Sequence, residues 1–98
     1  MSLSNAQRRY LRGLTHGISP VVMVGDKGLT ENVMNEIEIA LDRHELVKIK
    51  LRTDRETRAE FIQVILDKTG SAKIHSIGQT LTIYRENPKN PQFELPRK

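Results

Sequence analysis

The sequence predicts a single α/β domain in the order α-β-α-β-α-β-β, a mixed four-stranded sheet packed with helices. Three observations carry this fold class. The chain has 98 residues, about the span of one domain and enough for one modest core. Its apolar spacing switches between the 3.6-residue period of helices and the two-residue period of strands. A strand–helix–strand segment, which favours a parallel pair, precedes two strands only two residues apart, which favour an antiparallel hairpin.

The first helix spans Ser4 to about His16. Leu3, Tyr10, Leu11 and Leu14 form one stripe, joined only by Gln7, while Arg8, Arg9, Arg12 and His16 gather on the other side. Ser4 suits the N-cap and Gly17 the stop. After Pro20, Val21-Val22-Met23-Val24 is too short for a helix and rich in β-branched residues, so it reads as a buried strand. Gly25-Asp26-Lys27-Gly28 and Leu29-Thr30 then lead into a second helix over about 31–43. Val33, Met34, Ile37, Ala40 and Leu41 cover its apolar face; Glu31, Glu38, Asp42 and Glu45 lie on the other, and Ile39 fits neither.

Residues 46–52 alternate without a break: Val47, Ile49 and Leu51 point one way, Lys48, Lys50 and Arg52 the other, as in a half-buried strand. Thr53-Asp54-Arg55-Glu56 has the Thr-x-x-Glu form of a capping box. The third helix behind it carries Ala59, Phe61, Ile62, Ile65 and Leu66 on one stripe and stops at Gly70. Strands over about 72–77 and 80–85 are joined by Gly78-Gln79, a pair suited to a type II′ turn. The expected division is a domain over 1–85 and a tail over 86–98, which holds three of the four prolines and is expected to be irregular or loosely docked.

Composition removes several function classes. There are no cysteines, so disulfides and thiolate metal sites are excluded. The longest apolar run is four residues, far short of the ~20 that span a bilayer, and no signal peptide opens the chain. The expectation is a soluble, cytoplasmic protein. His16, His44 and His75 lie on three different elements without metal-ligand spacing, and no nucleophile elbow or nucleotide fingerprint is present. Neither an enzyme nor a metal or cofactor site is expected.

The net charge of +4 hides a partition. Residues 1–28 carry net +3, residues 29–45 net −4 and residues 46–98 net +5. Neither the Arg8/Arg9/Arg12 group nor the Lys48/Lys50/Arg52 group is interrupted by an acid, whereas a solubilising surface intersperses the signs. The Gly25–Gly28 loop lies between a strand and a helix. Its glycines permit close backbone approach, and Lys27 adds a cation, an arrangement suited to a phosphate group; a plain structural turn uses the same residues, and Asp26 opposes an anion. If the first two strands are parallel, Lys27 neighbours Arg52 and Arg55, with Arg58 within reach, at the sheet edge where open α/β sheets place ligands.

Three stretches together add a family resemblance. These are Arg8-Arg9-Tyr10-Leu11-Arg12 leading into Val24-Gly25-Asp26-Lys27-Gly28-Leu29-Thr30; Glu36-Ile37, Ala40-Leu41 and His44 to Lys48; and Ile77-Gly78, Leu81 and Tyr84-Arg85. Over about residues 3–85 the chain resembles the CRM-domain family (chloroplast RNA splicing and ribosome maturation) in its bacterial stand-alone, YhbY-like form. The resemblance implies an RNA-binding domain with a fold like the C-terminal domain of bacterial translation initiation factor three, and an association with precursors of the large ribosomal subunit. It also implies a role for Gly25–Gly28 like that of the phosphate-clamping loop of KH domains, although Asp26 departs from the more basic loops of such domains.

The expected function is therefore non-catalytic binding of ribosomal RNA during large-subunit assembly. Gly25, Asp26, Lys27 and Gly28 form the loop, and Arg8, Arg9, Arg12, Lys48, Lys50, Arg52, Arg55 and Arg58 supply further phosphate contacts. The alternative is a protein-interaction factor that docks on a ribosomal or other acidic partner and uses the acidic second helix.

Overall fold

The segment with the strictest alternation becomes a central strand. The computed structural model describes residues 3–89, 91–93, 95 and 96. Its elements are α1 (Asn5–Thr15), β1 (Val22–Val24), α2 (Glu31–His44), β2 (Leu46–Leu51), α3 (Arg55–Thr69), β3 (Ala72–Ile77) and β4 (Thr80–Tyr84), in the expected order. The four strands form one mixed sheet ordered β1-β2-β4-β3. β1 and β2 are parallel, while β4 runs antiparallel to both β2 and β3.

The sheet has a core on each face. Val22, Val24, Val47, Ile49, Leu51, Leu81 and Ile83 pack on one side with Ile37 and Leu41 of α2 and Ile65 of α3. On the other side Leu11 of α1 packs with Leu46, Ala72, Ile74 and Tyr84. A fully buried aliphatic side chain of this kind contributes roughly 1.5–3 kcal/mol. The β3 register shifts between Lys73 and His75, so Ile74 is an added residue and the alternation changes phase there. His75 and Ile77 thereby lie on the α1 side, opposite Thr82 and Thr80, and the His75 ring meets that of His16 at 6.2 Å between centroids.

The helix ends follow local chemistry. Ser4 and Gln7 form a reciprocal capping box, the Gln7 amide donating to Ser4 Oγ and the Ser4 amide to Gln7 Oε1. That explains the one polar residue in the α1 stripe. At α3 the cap is Asp54 and not Thr53: Asp54 Oδ1 accepts the Thr57 amide at 2.7 Å, because a carboxylate is the better acceptor at the positive end of a helix. The backbone bond and hydroxyl of Thr57, with the Arg58 charge, hold that carboxyl below its usual range. Gly70 ends α3 in the left-handed conformation. Gly78 has φ +56° and Gln79 has no positive φ, as a type II′ turn requires.

One expectation for the outer surface holds and one is corrected. The described residues of the tail are irregular, as expected, and are tied down at several points. Phe93 stacks edge-on against Tyr84, Leu95 joins the α1-side core, and Gln7 Nε2 donates to Pro96 O. Glu45, expected on the acidic face of α2, is instead fully buried. Its carboxylate accepts the backbone amides of Asn87 and Gln92, so it clips the tail to the sheet.

Candidate nucleic-acid interface

Parallel strands finish at the same end of a sheet, so residues 25–30 after β1 and residues 52–54 after β2 emerge together. The β3–β4 turn joins them, because Thr80 at the start of β4 pairs with Lys50 near the end of β2. Backbone bonds knit the three connections: the Arg52 amide donates to Val24 O at 2.9 Å and the Leu51 amide to Gln79 O at 2.6 Å.

Within Gly25–Gly28 the Gly28 amide closes a tight turn on Gly25 O at 3.0 Å. Helix α2 begins three residues later at Glu31, and the Thr30 side chain accepts the Val33 amide at 3.2 Å, so that helix end is capped from within. The turn is thus a rigid rim that presents Asp26 and Lys27 to solvent.

The structure brings Lys27, Lys50, Arg52, Arg55 and Arg58 to this end of the sheet. The side chains of Lys27, Lys50, Arg52 and Arg55 make no hydrogen bond or ion pair with another described residue. Arg58 is fixed by donation from Nη1 to Thr53 O at 3.0 Å. Arg55 and Arg58, with Ser76 and Gly78, line a recess of about 480 Å³ between α3 and the hairpin. Cations held open in this way are suited to phosphate oxygens.

The remaining predicted cations lie elsewhere. Arg8, Arg9 and Arg12 share one stripe of α1 and with Asn5 line a recess of about 210 Å³. Arg8 Nη1 donates to Lys73 O at 2.7 Å, which ties the stripe to the end of β3 away from Gly78. This is a second basic patch, separate from the loop rim. Lys48 is bound inward, with Nζ donating to Ile18 O at 3.2 Å.

The acidic helix is largely consumed by the fold. Arg85 bridges Glu38 at 2.7 Å and Asp42 at 3.0 Å and also donates to Thr69 O, while Glu45 holds the tail. Of the five acids in residues 29–45, only Glu31 and Glu36 remain exposed without such partners. Met23, expected within a buried strand, and Ile77, which no sequence reading singled out for a surface role, are two apolar residues that the sheet leaves exposed at the basic end. The signal for Met23 was its place between Val22 and Val24, which forces it onto the opposite face; no sequence signal marked the phase change that turns Ile77 outward.

The family model for the CRS1/YhbY (CRM) domain matches residues 3–85. A protein of Haemophilus influenzae named "RNA-binding protein" is 45% identical over 98 residues, covering 99% of this chain and 98% of its own. The "Probable RNA-binding protein YqeI" of Bacillus subtilis is 32% identical over 95 residues, covering 96% and 99% of the two chains. The solution structure of SAV1595 from Staphylococcus aureus superposes with a TM-score of 0.82 at 33% identity, over 97% of this chain and all of that one.

Proposed function

The chain belongs to the CRS1/YhbY (CRM) domain family, and from that membership we propose that it is a non-catalytic RNA-binding protein acting on ribosomal RNA in cytoplasmic precursors of the large ribosomal subunit. Residues 1–85 form the binding unit, and residues 86–98 are its tail. The observation that carries the reading is that Lys27 on the β1–α2 connection, Arg52 on the β2–α3 connection and Arg55 at the start of α3 lie at one end of the sheet, where a backbone bond from Arg52 to Val24 ties the two connections together. Lys27 and the Gly25–Gly28 backbone hold one stretch of phosphates, and Arg52, Arg55 and Arg58 the next. The Arg8/Arg9/Arg12 stripe supplies a second contact. Asp26 beside Lys27 lowers the affinity of the rim without removing it, because the arginines outnumber it. The names of the relatives support RNA as the ligand.

Sedimentation of gently lysed cells tests the ribosomal assignment. The protein is expected to migrate with large-subunit precursors and to be released by ribonuclease. Migration that survives complete nuclease digestion would assign it to a protein partner instead.

A further inference from the structure

One row of side chains crosses the whole sheet at its basic end. Met23 pairs with Lys50, Lys50 with Thr80 and Thr80 with Ile77, and directly paired residues share a face. Their neighbours Val22, Val24, Ile49, Leu51 and Leu81 are all in the α2/α3-side core, so the row lies on the opposite face. Helix α1 covers that face lower down, where Thr82 is buried and His75 meets His16. The row itself is open: Met23 is 54% and Ile77 63% exposed.

Single exposed apolar residues are ordinary. Here two of them flank a cation and a hydroxyl in one register. Ile77 reaches this face only because the added residue Ile74 shifts the phase of β3, and bulges commonly re-aim a side chain in this way. Three inter-strand gaps of ~4.8 Å make the row about 14 Å wide, broader than one nucleobase. Lys27 and Arg52 stand at its upper border, where phosphates of the same strand would lie. A duplex presents phosphates but keeps its base faces stacked; an unpaired segment offers both.

We infer that the Met23–Lys50–Thr80–Ile77 row is a subsite for unpaired nucleobases, so that the ligand is RNA with a single-stranded stretch beside a helix. The inference rests on the RNA-binding reading above. Bases lie flat on the Met23 and Ile77 side chains, Lys50 and Thr80 meet their polar edges, and the rim cations hold the flanking phosphates.

The test uses the full chain, a stem-loop RNA and a blunt RNA duplex with the same number of phosphates, titrated over a range of salt. The wild type is expected to prefer the stem-loop by roughly tenfold, equivalent to about 1.4 kcal/mol. The double variant Met23→Ser/Ile77→Ser, with both changes at exposed positions, is expected to lose that preference while its salt slope stays as in the wild type. With 4-thiouridine in the loop, photocrosslinks are expected on the peptides carrying Met23, Lys50 or Ile77. Equal wild-type affinity for the two RNAs, a preference retained by the variant, or crosslinks confined to α1 would each overturn the inference while leaving RNA binding intact. Absence of salt-dependent binding to either RNA would overturn the RNA reading itself.

Discussion

Gly28 lies against the ring of Phe61. A β-carbon at Gly28 would stand 3.2 Å from Phe61 Cζ, and its φ of +73° lies where glycine is favoured. The second glycine of the loop is thus fixed by the α3 side of the core, and the rim carrying Lys27 inherits its position from an aromatic ring beneath it. Gly25 has no atom within 4 Å of where its β-carbon would be.

The two glycines should accordingly respond differently. Gly28→Ala is expected to cost about 1–3 kcal/mol, since both backbone strain and the ring oppose it. Gly25→Ala is expected to change stability by less than about 0.5 kcal/mol. Urea denaturation of the two variants measures both; equal losses would contradict the role given to Phe61.

The clip at Glu45 makes a second prediction. Removing the carboxylate in Glu45→Ala takes away the buried acceptor to which the part-buried Asn87 and Gln92 amides donate. The expected loss is about 2–3 kcal/mol, with faster hydrogen exchange at those two amides. Unchanged exchange there would show that the tail is held by its other contacts, Phe93, Leu95 and the bond from Gln7 to Pro96, without the Glu45 clip.

Most of the architecture was legible because the apolar periods are clean. The uninterrupted 46–52 alternation marks a central strand, and Gly78-Gln79 marks the turn that closes the sheet. The loop rim follows from parallel pairing, which places Lys27, Arg52 and Arg55 together. What was not legible depends on contacts distant in sequence. Glu45 reads as a surface acid because its partners are 42 and 47 residues away. Arg85, just after β4, bridges Glu38 and Asp42 and offsets part of their charge, so the net charge of residues 29–45 overstates the negative face. Thr53 matches a capping-box pattern, yet the adjacent Asp54 carboxylate takes the bond. The orientation of Ile77 depends on one added residue in β3, which composition and periodicity do not reveal.

Alkaline titration supplies a third prediction. Burial, followed by the charges of Glu45 and Glu86, pushes the Tyr84 hydroxyl up from 10.0 to about 12. The folded state therefore holds its proton more tightly than the unfolded chain. The resulting stability is present in full below pH 10 and is lost as pH rises from 10 towards 12. Ultraviolet absorbance of tyrosinate should show one tyrosine ionising near the upper end of that window, and Tyr84→Phe should lack that transition and the matching part of the stability loss. An 84-dependent transition near pH 10 would contradict the buried setting.

The central claim is that the loop-end cations hold RNA phosphates, and salt dependence tests it most directly. Filter binding to large-subunit precursor RNA should give a linear fall of log affinity with log salt, with a slope of about 0.7–0.9 for each phosphate neutralised. Lys27→Glu/Arg52→Glu is expected to weaken binding at least about tenfold and to flatten the slope by about 1 for each cation removed. Lys68→Glu, in the last turn of α3, serves as the control and should leave both quantities near the wild type. Wild-type affinity and slope in the Lys27→Glu/Arg52→Glu protein would contradict the account.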